Sequence, residues 1–440
     1  MNKRTLRRRL AASGSLLSLG LVAACGGGDA GSAEAAVTEA TGPIDYAYWG
    51  SPARAEKVEQ VIDLFEAAQD DVTVTGEVAD YVAYIERLTV RAAGDDLACA
   101  TGTQSTFLAQ YAQQGAFQDL APYIDEGLID TSGIPEDVLA AGQVDGVQYM
   151  IPTGTFLRLL AYNTALVEGA GVEPPAADMT WEEYGDWLRE LQAGLPDGVF
   201  ATEIEGANLF TLYSWVTGHG QPMFDGTELG FDKELLTEWF EFWLALTEDG
   251  ATVPPERIAD QFGALELAPM ATGVAATGTR DIPHMHITEQ ALAGAGQTTT
   301  IASVSNPTED PEQSSNVLGS NGISISSGCE NGGAAATWID FFANDTDAAL
   351  AFQSDNGILT NTAAQDALLA DAATPEGVHQ NVTILRDYVA AEDTTTITYP
   401  AGVSVLGTEL RRVYEDVAFG RSSVEQAVDT FFSEASRALG

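Results

Sequence analysis

The chain has 440 residues, with 19 lysines and arginines against 65 aspartates and glutamates, and a formal net charge of −46. At about 150 residues per domain, this length predicts two or three domains with substantial cores. The 45% apolar content excludes a disordered acidic chain. Because phosphate binding depends on Lys and Arg, the charge argues against nucleic acid as a partner and against a basic patch for anionic lipid.

The N-terminus has the features of an export and anchoring signal. Five cations lie in the first nine residues, and an apolar run over residues 10–24 follows them. The run is shorter than the ~20 apolar residues that cross a bilayer, and it is built like a secretory signal peptide. It ends in Leu-Val-Ala-Ala-Cys at Cys25 and continues with three glycines, which resembles the bacterial lipobox.

We therefore predict that residues 1–24 are a signal peptide, that Cys25 is lipidated, and that residues 25–43 are a flexible tether. Adjacent arginines in the basic stretch leave both the general and the twin-arginine export routes open. The lipid would hold the chain on the outer face of the membrane, on the periplasmic side or at the cell surface. Without the first 24 residues, 14 cations remain against 65 acids, a net charge of −51.

The rest of the chain alternates strand and helix patterns, which indicates a parallel α/β sheet. In chain order, the patterns predict strands at 44–49, 72–75 and 97–100 with helices around 58–65 and 84–91 between them, amphipathic helices at 181–191 and 234–246, a strand at 322–326, a helix at 334–342 and mostly helix in the last 80 residues. Residues 101–105 are predicted as the loop after the third strand. Thr180 and Glu183 form a predicted capping box, which makes Trp181 a packing residue.

Two cysteines, Cys99 and Cys329, remain after the lipobox. In an oxidising compartment they are compatible with a disulfide, and they are equally compatible with two buried thiols.

Several short segments then occur in a characteristic order. They are the strand end Tyr48-Trp49, the stretches at 84–88 and 92–94, the segment 111–120, the segments 146–152 and 161–163, and the helix start at 174–183. In this order, and behind a lipobox, they resemble the extracytoplasmic solute-binding proteins of ABC importers, in the sugar-binding group that includes maltose-binding protein.

The resemblance implies an α/β, two-lobe, periplasmic-binding-protein-like fold, in which each lobe is a mainly parallel sheet flanked by helices and the ligand cleft lies between the lobes. It assigns residues 44–125 and 299–345 to lobe 1, and residues 126–298 and 346–440 to lobe 2. In that arrangement the 322–326 strand runs antiparallel beside the 97–100 strand and brings Cys329 close to Cys99. We therefore predict a disulfide between them.

Sugar recognition requires aromatic faces and planar polar groups, and open α/β sheets bind ligands at strand ends. On this basis the candidate ligand-binding residues are Trp49, Ser51, Tyr81, Thr103 and Gln104 from the first lobe, Trp215, Thr279, Arg280 and Asp281 from the second, and Asn321 before the return strand. Trp49 and Trp215 are also compatible with burial in a core. Arg280 stands where many family members have a tryptophan, and it fits either a ligand contact or a structural ion pair.

The predicted function is the substrate-binding component of an ABC importer, a monomer that binds a sugar by lobe closure and docks on permease subunits. Alternatives are an anionic solute such as a sugar phosphate, suggested by Arg158 and Arg280, and a cell-surface carbohydrate-active enzyme. The sequence has no Gly-x-Ser-x-Gly, His-Glu-x-x-His or P-loop motif. His284 and His286 are a candidate metal pair, but there are four histidines in all, so we predict no metal, no cofactor and no catalytic residue.

Overall fold

The computed structural model describes Val37, residues 39–310 and residues 312–440. The predicted signal peptide, Cys25 and most of the predicted tether lie outside these residues. The strands are β1 (Gly42–Trp49), β2 (Val72–Ala79), β3 (Ala100–Gln104), β4 (Gln143–Val144), β5 (Val147–Gln148), β6 (Ile151–Asn163), β7 (Phe200–Thr202), β8 (Phe224–Asp225), β9 (Glu228–Leu229), β10 (Ala275–Asp281), β11 (Ile301–Val304), β12 (Val317–Ile325), β13 (Ile358–Leu359) and β14 (Thr395–Thr396).

Helices separate most of these strands. They are α1 (Pro52–Ala68), α2 (Tyr81–Ala93), α3 (Ser105–Ala112), α4 (Ala121–Asp125), α5 (Glu136–Ala140), α6 (Thr164–Ala170), α7 (Trp181–Gly194), α8 (Leu209–Gly218), α9 (Lys233–Glu248), α10 (Ile258–Gln261), α11 (Ile282–Gly294), α12 (Gly332–Asn344), α13 (Thr346–Phe352), α14 (Thr362–Ala370), α15 (Glu376–Ala390), α16 (Val403–Ala418) and α17 (Val424–Leu439). Thr180 and Glu183 form the predicted capping box at the start of α7, and Trp181 is buried. No helix in the described part of the chain has the length and apolarity that a bilayer crossing requires.

A large mixed sheet runs through the molecule in the order β2-β1-β3-β12-β6-β10-β7, with β11 and β13 paired to β6 and β14 paired to β12. The first three strands are parallel, because helices connect them. Strand β12 is antiparallel to both β3 and β6. The predicted α/β class is confirmed, and the antiparallel strands make the sheet mixed.

The third strand begins later than predicted. Residues 101–104, expected in a loop, form most of β3, and Ala100 pairs with Ile325 at its start. The β-branched Thr101 and Thr103 suit an extended backbone between two neighbouring strands. The predicted antiparallel pairing with the later strand is correct, and it brings the two cysteines together.

Cys99 and Cys329 form a disulfide, with their Cα atoms 4.7 Å apart. The predicted disulfide is therefore confirmed. It joins the residue before β3 to the turn after β12 and closes a loop of 230 residues.

The buried apolar residues form two large cores and one smaller core. The first core joins α1 and α12 to the sheet, with Trp338 at its centre, and the second surrounds Trp239 and Trp243. The smaller core contains Trp49 and Phe107. Buried side chains between positions 348 and 385 belong to the first core, although the sequence assigned that segment to lobe 2. The lobe boundaries themselves stay a prediction.

Candidate ligand-binding site

A cavity of about 890 Å³ lies between segments that the sequence assigned to different lobes. One wall comes from α2, the end of β3 and α3. The other comes from α8, α16 and the residue after α10. The lining residues are Tyr81, Ile85, Glu86, Thr89, Gln104, Thr106, Phe107, Gln110 and Tyr111 on the first wall, and Asn208, Leu209, Phe210, Tyr213, Phe262, Val403, Ser404, Gly407, Thr408, Arg411, Arg412 and Glu415 on the second. The volume is in the range of small-molecule sites.

Three aromatic side chains line this cavity while remaining exposed. Tyr81 on the first wall is 46% exposed, and Phe210 and Phe262 on the second wall are 37% and 41% exposed. Large exposed apolar side chains that converge on one concavity mark a binding surface. The arrangement provides ring faces on both walls for the apolar face of a ligand.

Arginines hold the two phenylalanines of the second wall. The guanidinium carbon of Arg158 lies 4.6 Å from the ring centroid of Phe210, and that of Arg411 lies 4.7 Å from the centroid of Phe262. Each contact is a cation–π interaction. It fixes the ring from one side and leaves the rest of the ring surface available.

Arg158 is itself anchored by Asp281. Its Nε donates to Asp281 Oδ1 at 3.0 Å and its Nη2 donates to Oδ2 at 2.9 Å. Burial alone would raise the pKa of Asp281, but the neighbouring positive groups, Arg158 first among them, together hold that pKa below its ordinary value. Asp281 is therefore ionised. It holds the Arg158 side chain that packs on the Phe210 ring.

The start of α8 places Phe210 in the wall. Asn208 is the N-cap, and its side-chain oxygen accepts from the backbone N–H of Phe210. Its amide nitrogen donates to the buried carboxylate of Glu205 at 2.7 Å. Because Glu205 also accepts from Thr211 and from the backbone of Thr279, this end of the helix is fixed by the protein interior.

A chain of hydrogen bonds orients Gln104 on the first wall. Gln104 Nε2 donates to Asn321 Oδ1 at 3.0 Å, and Asn321 Nδ2 donates to the backbone oxygen of Asn356 at 3.0 Å. Arg54 then donates to Asn356 and, at 2.7 Å, to Asp355. These hydrogen bonds link Gln104, which lines the cavity, to the partly exposed ion pair of Arg54 and Asp355.

The charged side chains of the cavity are balanced, and both of its arginines are paired. Arg411 Nε lies 2.9 Å from Glu415 Oε1, and Arg412 Nη2 lies 2.7 Å from Glu409 Oε2. The hydrogen bond to Glu409 raises the pKa of Arg412 above its ordinary value. With Glu86 and Glu415 in the lining, the site has no excess positive charge.

The structure brings three of the ten predicted residues to this site. Tyr81 and Gln104 line the cavity, and Asn321 holds Gln104. Trp49 lies behind Tyr81, with their ring centroids 5.8 Å apart, and is 7% exposed. Thr103 is buried and hydrogen-bonded to Ser324.

The other five predicted residues have structural partners instead. Ser51 caps α1, where its hydroxyl accepts from the backbone of Arg54. Trp215 is buried in the second core, Thr279 bonds to Thr211, and Asp281 holds Arg158 as described. Arg280 makes two hydrogen bonds to Glu203, at 2.8 and 2.7 Å, and is 6% exposed. No ligand role is needed to explain these side chains.

Sequence reasoning missed most of the second wall. Phe210 shares an apolar segment with buried residues, and Phe262 follows a helix of four residues, so neither is distinguished by its pattern. Arg411 and Arg412 lie on the amphipathic helix α16, where a cation is common, so the pattern does not distinguish them either. Among the described residues, no group of three potential metal ligands occurs, and His284 and His286 do not belong to one.

Comparisons with known proteins identify the family of this chain. A sequence profile of the family described as bacterial extracellular solute-binding protein matches residues 60–385. This chain belongs to that family. Its membership confirms the predicted family of binding proteins and gives this solute-binding protein an extracytoplasmic location.

Individual relatives are distant. A binding protein of Brucella abortus strain 2308 is 25% identical over 249 residues, which cover 55% of this chain and 56% of the relative. The solute-binding protein thus matches about half the length of its curated relatives.

Solved structures match over nearly the whole chain. An ABC substrate-binding protein of Listeria monocytogenes, solved with cycloalternan, is 20% identical with a TM-score of 0.71, covering 90% of this chain and 99% of that one. A periplasmic oligogalacturonide-binding protein of Yersinia enterocolitica is 17% identical with a TM-score of 0.73, covering 90% and 98%. At these identities the likeness establishes the shared fold.

Proposed function

We propose that this protein is the substrate-binding component of an ABC importer and that it binds a neutral sugar or oligosaccharide in the 890 Å³ cavity. The observation that carries the proposal is the set of exposed rings of Tyr81, Phe210 and Phe262 on two facing walls. Sugar rings present C–H faces that pack on aromatic rings and hydroxyls that bond to side chains such as Gln104. The Listeria protein with this fold was solved with cycloalternan, and the Yersinia protein is named for oligogalacturonide, so a saccharide as ligand has precedent in this fold.

A neutral ligand fits the site better than an anion. Arg158 and Arg280, which suggested an anionic solute, are bound to Asp281 and Glu203. The two arginines in the lining are paired as well. Because the whole chain has a net charge of −46, its long-range field repels anions.

The proposed mechanism is conformational and does not involve catalysis. A ligand that contacts both walls binds best when the walls are closest, and it therefore favours the closed state. The closed monomer would then dock on the permease subunits. We further propose that a lipid on Cys25 tethers it to the outer face of the membrane, which fatty-acid labelling that is lost in Cys25→Ala would support.

The direct test is isothermal titration calorimetry of the soluble chain with maltotriose, cellotriose, glucose 6-phosphate and digalacturonate, combined with product analysis. We expect saturable binding of a neutral saccharide, a smaller radius of gyration in solution scattering, and unchanged saccharide after incubation. Tight binding of only the charged ligands would contradict the neutral assignment. Turnover of the saccharide would support the enzyme instead.

Phe210→Ala tests the site itself, because it removes a ring from the second wall. Loss of one aromatic contact predicts affinity weaker by about tenfold. Phe419→Ala is the matched control, since Phe419 is 42% exposed and lies outside the cavity lining. Equal affinities of both variants and the parent would reject the proposed site.

A further inference from the structure

A second cavity, of about 370 Å³, lies on a different part of the molecule. Helices α5, α14 and α15 surround it, and β6 and the end of β13 form its floor. The lining includes Val138, Leu385 and Val389 together with Thr155 and Thr360, and it shares no residue with the larger cavity. The volume is at the lower end of the range for small-molecule sites.

The two cavities lie on opposite faces of β6. Thr155 is an odd number of residues from Arg158, so their side chains project to opposite sides of the strand. Arg158 contacts Phe210 in the wall of the larger cavity, whereas Thr155 lines the smaller one. A ligand of the smaller cavity therefore has its own site.

The floor of the smaller cavity contains a buried hydroxyl without a hydrogen-bond partner. Thr155 is fully buried, and its Oγ1 has no hydrogen-bond partner among the described residues. Ser320 is its register partner on β12, and its Oγ is buried and unpartnered in the same part of the structure. Buried hydroxyls are normally satisfied, because an unpaired one costs free energy. Of the two, only Thr155 lines the cavity, and its hydroxyl marks this floor as a place for a polar group of a ligand.

The charged rim offers no free charge. Arg386 donates to Gln365 at 2.6 Å, to Asp366 at 2.7 Å and to the backbone oxygen of Thr362 at 2.9 Å. All three nitrogens of the guanidinium are therefore occupied. Apart from Arg386 and Asp366, which bind each other, the lining residues are uncharged, so an ionised ligand would lose its hydration without a counter-charge.

We propose that this cavity is a second binding site for a small neutral amphiphile, with an apolar body among Val138, Leu385 and Val389 and a hydroxyl that bonds to Thr155. This site is separate from the larger cavity, in which we propose that the sugar binds. Its occupancy does not depend on the identity of the transported solute.

The test uses p-cresol and toluene, which differ by one hydroxyl, in NMR titrations of the folded chain. We expect saturable p-cresol binding that Thr155→Val weakens by about three- to tenfold, the worth of one hydrogen bond, while toluene binding stays the same. Ala390→Phe, which fills the cavity, should abolish binding of both probes. Circular dichroism checks that each variant is folded.

Phe210→Ala is the control for binding in the larger cavity, and it should leave the affinity for both probes unchanged. The proposal is overturned if neither probe binds saturably, if Ala390→Phe has no effect, or if Phe210→Ala abolishes probe binding. Equal effects of Thr155→Val on p-cresol and toluene would remove Thr155 from the site. If the Thr155→Val chain does not fold, the comparison of Ala390→Phe with Phe210→Ala still tests whether the probes bind in the smaller cavity.

Discussion

Arg280 is predicted to be a structural residue whose loss lowers stability and leaves ligand affinity unchanged. Its guanidinium and the Glu203 carboxylate are 7% and 2% exposed in their side chains and lie 2.7 Å apart. Burial alone would lower the pKa of Arg280, but Glu203 outweighs it and raises that pKa. Arg280 therefore keeps its charge in the protein interior.

Arg280→Met removes the cation and leaves the anion in place. Two charge-assisted hydrogen bonds are lost, each worth about 1.5–3 kcal/mol, and breaking a buried pair costs about 3–5 kcal/mol because the remaining charge has no partner. We therefore expect the free energy of unfolding to fall by about 4 kcal/mol. Urea unfolding followed by tryptophan fluorescence measures this loss.

The double variant Arg280→Met, Glu203→Gln is the matched control. It removes both charges, and the glutamine oxygen can still accept from the backbone N–H of Met270, which donates to Glu203 at 2.9 Å. The double variant should therefore be more stable than Arg280→Met alone. If Arg280→Met weakens sugar binding more than tenfold without a loss of stability, Arg280 contacts the ligand and this reasoning is refuted.

Three further predictions concern Asp355, the disulfide and Asn321. Burial alone would raise the pKa of Asp355, but its bonds to Arg54 and Lys57 hold it below the ordinary 3.8. Asp355→Asn should therefore lower the free energy of unfolding by about 1 kcal/mol at pH 7. In urea unfolding, the difference between this variant and the parent should vanish as the pH falls below 3.8. A difference that stays constant with pH would contradict the prediction. Reduction of the Cys99–Cys329 disulfide, which closes 230 residues, should lower the free energy of unfolding by about 5 kcal/mol in the chain-entropy model, measured with and without reductant; no change would show that the closed loop contributes nothing. Asn321→Ala removes the support of a cavity side chain and should weaken saccharide binding about threefold in calorimetry, whereas unchanged affinity would exclude a positioning role.

The sequence predicted the parts of the fold that depend on local patterns. Helical spacing predicted an amphipathic helix at 234–246, and Trp239 and Trp243 on its apolar face are fully buried, because side chains repeated on one helix face are buried with that face. The capping box at Thr180 is equally local. The pairing of Cys99 with Cys329 required more, since only the resemblance to a family placed the two strands side by side.

The candidate binding surface depends on tertiary structure. Its second wall is built from helices at 209–218 and 403–418, and its first wall from a helix at 81–93, so segments more than 300 residues apart meet at one cavity. Arg280 stood out in the sequence because cations are rare. In the structure its guanidinium donates hydrogen bonds to Glu203, 77 residues earlier. A sequence shows which residues have the chemistry to bind. Which of them is left with an unpaired face or hydrogen-bonding group is determined by long-range packing, and that depends on the whole fold.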